Sequence, residues 1–540
     1  MKKILYLFAT IVLGLVMTSC GDSFLTQYPE GGVLLQDQFD KLPDNLQGSI
    51  MGIYSKLYEY GNHDTFGQRS IDMYGDIQSG DMAMKKSSYG WFETYERGMF
   101  YAYARSYIWS YYYDILNLAN ICAMAIEENV PDIMDAISSG ETPSESIKLQ
   151  GYYYGQILAI RGWAYAGLLQ YYCDPMDQLE GTMDEELAVP VYTETEVKNG
   201  ALGAPRSTVA AVYDRIYEDL TQAIELLDFY GKLNARGSKL EIDADVARVI
   251  LAYAMLNHGN KDGVAIADGK TAYQIAFEQA KAAIDNGKYP LLKKEELTTT
   301  GFADVTAKNW MWGEDVTVEN TTALGSFFGQ VDIHTYSYAA AGDTKCIDDA
   351  LYAEIAANEW DGRVKWFRSP DTTFAYCPDG KFYNPGTKDI TGLSKVDRNW
   401  LCDNVFMRIE VAYLIAAEAA WNDGNYGIAA DYLGQLCEER VLDGKDTEFN
   451  TWKSGLTDVE SIKQALIYNW RVEMWGEGYG LQTLRRLSKS VKLGKNHLTR
   501  GEATIGPGAS GDSYIRYQCE IPTSETRYNP YLATTQLAHE

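Results

Sequence analysis

The sequence predicts a mainly α-helical fold, in which stacked helical pairs carry a large, irregular, loop-rich region. Three observations lead there. Apolar residues recur at helical spacing in several segments between 42 and 290 and again after 404. The stretch Asn404 to Arg440 reads as two helices joined by a tight turn. Between 289 and 403 the periodicity stops, and Gly, Thr, Asp and aromatic residues dominate. A chain of 540 residues that is 46% hydrophobic can bury a sizeable core.

The hairpin organises the rest. NVFMRIEVAYLIAAEAAW is apolar on most sides and rich in Ala, which predicts a buried helix. Asn422-Asp423-Gly424-Asn425 is a turn signal. The second helix follows, with Tyr426, Ala429, Ala430, Leu433 and Leu436 on one face. Tyr413, Ala417, Gly424, Ala429 and Leu433 fit the spacing of a tetratricopeptide-like unit. One such unit cannot bury its own face, so stacked neighbours are expected.

From the N-terminus, MKKILYLFATIVLGLVMTSC has a positive start, an apolar run too short for a comfortable membrane span, and small residues leading into Cys20. It resembles a bacterial lipoprotein signal, with cleavage before Cys20 and lipidation (palmitate) of that residue. Met17 stands where Leu is commoner. Residues 1–19 are then the signal peptide and 20–41 a lipidated tether, leaving the body anchored by acyl chains. No later run reaches the ~20 apolar residues of a spanning helix.

A helical region covers 42–288. Leu42 to Tyr60 is its first helix. Residues 67–98, Gly-rich and aromatic with poor periodicity, read as a long ordered loop, and such loops are usually functional. Helices follow at Phe100 to Glu128, Ser144 to Tyr172, Ser207 to Phe229, Asp243 to Asn257 and Thr271 to Gly287. The irregular insertion spans 289–403, with a short strand in NWMWGEDVTVEN. The scaffold resumes over 404–540, including a helix and loop between Ser461 and Arg486.

Composition excludes several function classes. A net charge of −28 argues against nucleic acid as a partner. Besides Cys20, the seven cysteines are scattered, with no CxxC, so neither a disulfide framework nor a zinc site is indicated. The five histidines form no HExxH, and there is no GxSxG. Glu473/Glu477 and Glu410/Glu418 share helix faces, whereas glycoside hydrolysis needs two carboxylates flanking a sugar. Pairing with Arg471, Arg485 or Arg486 is the expected role, and no enzyme activity is predicted. His258-Gly-Asn-Lys-Asp-Gly lacks the ligand pattern of a calcium loop and reads as a helix-connecting turn; no metal or cofactor is expected.

Several separated segments are similar to one family. They are Cys20 followed by DSFLTQYPEG, QILAIRGWAYAGLLQYYCDP, STVAAVYDRIYEDLTQAIELL, RIEVAYLIAAEAAWNDGNY, RVEMWGEGYGLQTLRRL and IPTSETRYNP. In order and spacing they resemble the SusD/RagB family of Bacteroidetes outer-membrane nutrient-binding lipoproteins, over nearly the whole chain. Tyr479-Gly480 and Cys173 depart from the family pattern at scaffold positions. The resemblance implies four tetratricopeptide-like pairs and an irregular, ligand-facing remainder. It further implies an extracellular lid on a SusC-like TonB-dependent barrel transporter, taking oligosaccharides or, in RagB-like relatives, peptides.

Sugar capture requires aromatic platforms on rigid loops, because sugar CH faces stack on Trp and Tyr. The candidates in the two irregular regions are Tyr74, Tyr89 and Trp91, and Trp310, Trp312, Tyr336 and Tyr338.

Overall fold

The computed structural model describes residues 46–96, 102–201, 203–300, 302–383, 399–506 and 518–532. The predicted signal peptide, Cys20 and the tether to 41 lie outside the described residues. The compact body is Gln47–Glu540.

Helix α1 (Leu46–Tyr54) passes into a 3-10 turn, Ser55–Tyr58. Helix α2 (Gln68–Ser79) and strand β1 (Met82–Met84) come next. They correct the expectation of a long loop over 67–98. Every residue from Arg69 to Ser79 is buried, Asp72, Asp76 and Gln78 included, so a segment whose polar content reads as loop is a core helix. Gly67 starts it at φ +84°, where a Cβ would sit 2.1 Å from the Leu57 carbonyl oxygen.

The scaffold follows as α3 (Ala102–Ala125), α4 (Glu145–Tyr172), α5 (Val209–Tyr230), α6 (Ala244–His258) and α7 (Ala272–Asp285). Strands β2 (Trp310–Glu314), β3 (Lys345–Ile347) and β4 (Asn404–Arg408) lead to α8 (Glu410–Asn422), α9 (Tyr426–Glu438) and α10 (Val459–Glu473). The caps are written in the sequence. Side-chain oxygens of Ser144, Thr208, Asp243 and Thr271 each accept a backbone N–H of the first turn, and Thr271 with Gln274 makes a full capping box. HGNKDG is the turn that ends α6, with Gly259 in the left-handed region at φ +64°.

Consecutive helices from α3 to α9 pack on one another, and α10 packs on α8 and α9. Helices α7 and α8 are neighbours in this stack, although residues 286–409 separate them in the chain. Small residues set the closest approach. At Gly162 on α4 an added Cβ would lie 2.7 Å from Leu220 Cγ of α5. Arg161 of α4 then grips Asp219 of α5 through two hydrogen bonds of 2.7 Å.

The first half of the expected hairpin needs correction. Asn404–Arg408 is not helical but pairs antiparallel with β2, Trp310 opposite Arg408 and Glu314 opposite Asn404. A strand covered on both faces reads as a continuous apolar run, which periodicity alone does not distinguish from buried helix. The turn and second helix are as the sequence indicates, with Gly424 at φ +79°.

Below β4 lies a buried ionic centre. Arg408 binds Glu473 at 2.9 Å, Glu477 at 2.8 Å and Glu410 at 3.2 Å. Arg440 bridges Glu473 and Glu410, Arg363 pairs with Asp361 at 2.6 Å, and Lys381 with Glu477 at 2.7 Å. Four cations thus face four carboxylates. Burial opposes ionisation of Glu473, but the Arg440 and Arg408 guanidiniums outweigh it and hold the carboxyl well below the usual range.

Candidate ligand-binding face

Strand β1 runs antiparallel to β3 in the register Met82–Ile347, Ala83–Cys346, Met84–Lys345. Two further backbone bonds extend the ladder, from Lys85 N–H to Thr344 O at 3.0 Å and from Thr344 N–H to Lys86 O at 2.9 Å. The ladder brings two distant loops together. The Asp343 carboxylate closes the junction by accepting the backbone N–H groups of Ser88 and Tyr89, the latter at 2.7 Å. On the far side Ser337 caps a helical turn, Tyr338–Ala341.

A third segment completes the face. Residues 61–65 form a turn held by Gly61 and Asn62 N–H groups on Thr65 O, and Gln330 Nε2 donates to His63 O at 2.8 Å. Five rings then converge, with Tyr336 beside them. His63 lies 5.1 Å from Trp91, 5.3 Å from Tyr338 and 5.9 Å from Tyr60, and Tyr338 also meets Tyr89 edge-on at 5.3 Å. Tyr336, two residues from Tyr338, packs edge-on to Trp400 at 6.4 Å. Tyr60, Tyr89 and Tyr336 are 51%, 58% and 59% exposed, while His63, Trp91 and Tyr338 are half-buried. The Tyr60 ring lies over Gly325, where a Cβ would come within 2.4 Å of it.

Beneath these rings sits Lys345, fully buried. Its Nζ donates to Gln330 Oε1 at 2.7 Å and to Asp343 O at 3.2 Å, and lies 5.4 Å from the Phe92 ring. The same ammonium therefore touches a residue that holds His63, one that holds Tyr89, and the neighbour of Trp91. Burial pushes its pKa down to about 7, against the pull of Asp343.

The structure divides the seven candidate residues. Tyr89, Trp91, Tyr336 and Tyr338 reach this one face. Tyr74, Trp310 and Trp312 do not, and their assignment to a ligand surface is corrected. Tyr74 belongs to all-round-buried α2, stacks on Tyr95 at 4.1 Å and donates its hydroxyl to Asp64 O. Trp310 and Trp312 are each 1% exposed, because β2 is packed on both sides, and the Trp312 indole N–H donates to Leu240 O at 2.8 Å. Sequence reasoning missed Tyr60 and His63. The available signal was the turn chemistry of Gly61 to Thr65 beside two aromatic residues.

The four glutamates weighed for hydrolysis are buried in ion pairs. Glu418 pairs with Arg486 as the sequence suggests. Glu473 and Glu477 instead take Arg363, Arg408, Arg440 and Lys381, from elements distant in sequence. Arg471 goes to Asp81 at 2.6 Å. Among the described residues no group of three or more His, Cys, Asp or Glu is arranged for a metal ion. The seven described cysteines are buried thiols.

Residues 39–251 match a family model described as SusD-like, starch-binding and associating with the outer membrane. None of the curated proteins matches the chain. Solved structures are similar throughout. A SusD-like carbohydrate binding protein from Bacteroides vulgatus shares 20% identity at a TM-score of 0.68, over 92% of this chain and 98% of that one. A SusD superfamily protein from the same species shares 18% at 0.66, over 90% and 97%. Another, from Bacteroides thetaiotaomicron, shares 18% at 0.64, over 91% and 98%.

Proposed function

We propose that this chain, whose residues 39–251 match the SusD-like model and whose fold is that of solved SusD superfamily proteins, is a SusD/RagB-family protein that captures oligosaccharide at the cell surface as the lid of a SusC-like TonB-dependent transporter. The family is one of outer-membrane-associated carbohydrate binders rather than enzymes. The observation that carries the reading is the convergence of Tyr60, His63, Tyr89, Trp91, Tyr336 and Tyr338 on one accessible face. Rings set at steep angles and locked by backbone ladders offer several CH-stacking planes without reorganisation on binding. Hydroxyls of a bound sugar would find hydrogen-bond partners in the phenols and the imidazole.

In this proposal the lipid on Cys20 holds the protein at the membrane, and closure over the barrel commits the ligand to uptake. The test is calorimetry on the soluble chain beginning after Cys20, against arrays of oligosaccharides and of peptides. An oligosaccharide that binds the parent chain and is lost in Trp91→Ala and Tyr338→Ala supports the reading. A peptide bound at the same residues would replace sugar by a RagB-like ligand. Failure of any barrel transporter to co-purify from outer membranes would remove the lid role.

A further inference from the structure

A concavity of about 510 Å³ opens within the helical stack and shares no lining residue with the aromatic face. Its size falls within the roughly 300–1,000 Å³ of small-molecule sites. Its walls come from α4, α5, α6, α7, α8 and α10, and from the π-helical turn Leu484–Ser488 with Lys489.

The charge of this cavity is opposite to that of the chain. Lys261, Lys463, Arg485, Arg486 and Lys489 line it, against two acids, Asp177 and Glu418, in a protein of net charge −28. Both acids are already engaged. Glu418 is held by Arg486 at 2.8 Å and Asp177 by Lys489 at 2.5 Å. Arg485 is fixed by donating to Cys173 O at 2.7 Å, and Lys261 donates to Leu179 O at 3.0 Å.

Some lining groups have nothing to bind. Among the described residues, the Lys463 ammonium has neither a hydrogen bond nor an ion pair. Among the described residues the Tyr213 hydroxyl, on a residue only 5% exposed, has no hydrogen-bond partner, and neither does the half-buried Tyr273 hydroxyl. Buried polar groups are normally paired, so donors left open toward a cavity mark where a partner belongs. The local backbone is also unusual. The π-turn widens the helix end that carries Arg485 and Arg486, and Lys489 adopts φ +60°, a combination that recurs at functional sites.

We propose that this cavity binds a small oxyanion-bearing molecule, a carboxylate, sulfate or phosphate group, with Lys463, Tyr213 and Tyr273 as its donors. An anion satisfies the open donors and the excess positive charge together. A neutral molecule would satisfy only the first, and a cation neither. Trp421 and the Tyr273 ring offer apolar surface beside the donors, enough for the anion to be borne on a sugar-sized body.

The experiment is calorimetry on the mature soluble chain with sodium sulfate, sodium phosphate and glucuronate, and with glucose as the neutral control. One anion per chain should bind, glucose should not bind at this site, and affinity should fall as sodium chloride is raised. Lys463→Ala and Tyr273→Phe should each weaken the anion about tenfold, the loss expected for one hydrogen bond to a charged group. Both variants should keep the parent melting curve, since neither group bonds to the protein. Trp91→Ala, on the other face, should leave anion affinity unchanged. Glucuronate tighter than sulfate would identify an acidic sugar as the source, and equal affinities a free inorganic anion. The proposal is overturned if no anion saturates, or if Lys463→Ala and Tyr273→Phe bind as the parent does.

Discussion

The ionic centre under β4 and the aromatic face over β3 are both assembled from residues distant in sequence, yet they treat polarity oppositely. In the centre, Arg408, Arg440, Arg363 and Lys381 are sealed from water and each charge is answered by a carboxylate. On the face, backbone ladders and Lys345 hold the support while Tyr60, Tyr89 and Tyr336 are left open to solvent. The difference teaches that a residue type does not carry its use. Tryptophan is fully buried in β2 and half-buried on the aromatic face at 91, and the neighbouring backbone decides which.

Substitutions can break this comparison, beginning with the centre. Arg408→Ala would take away the one cation shared by three buried carboxylates, leaving them to Arg440, Arg363 and Lys381, and urea denaturation should show a loss of about 3–5 kcal/mol. A loss below about 1 kcal/mol would mean that the centre is hydrated rather than sealed. Trp312→Ala should cost about 3–5 kcal/mol by leaving a cavity, while the folded fraction binds ligand as before. Unchanged stability with lost binding would return Trp312 to the ligand surface. On the face, Trp91→Ala or Tyr338→Ala should weaken sugar about tenfold in calorimetry, roughly 1.4 kcal/mol, and shift stability by less than about 1 kcal/mol.

The smallest effects are in pH, and their signs differ. Lys345 in the folded chain has a pKa near 7, below the ordinary lysine value of about 10.4, so the unfolded chain binds more protons between them. Its contribution makes stability rise with pH across that window, and Lys345→Met should flatten the rise. His497 lies between Glu96 at 3.3 Å and Asp348 at 3.1 Å. Burial favours the neutral ring, but the bonds to Asp348 and Glu96 prevail and raise its pKa. Its contribution is whole below about pH 6.5 and is lost as pH rises through the elevated value. His497→Gln should remove that decline from denaturation midpoints measured across pH.

Helix positions, caps and the α8–α9 turn were legible from sequence because they depend on neighbours: Ser144, Thr208, Asp243 and Thr271 act within three residues, and Gly424 only needs its own φ. Helix α2 was not, because the buried Asp72, Asp76 and Gln78 make its segment read as polar loop, and strand β4 was not, because a strand covered on both faces shows no alternation. The same limit applied to the candidate site. Irregular composition pointed to the regions around Tyr89, Trp91, Tyr336 and Tyr338, but equally to Tyr74, Trp310 and Trp312.

By itself, then, the sequence determined the helical pairs, the caps and the turns, together with an acidic surface. Those follow from local hydrogen bonding, side-chain shape and net charge. Tertiary structure alone decided which rings meet and which are covered. It also set the partners of Glu473 and Glu477 and left a basic cavity inside an acidic protein. These depend on strand register and helix packing between segments hundreds of residues apart, as in the ladder that joins Ala83 to Cys346.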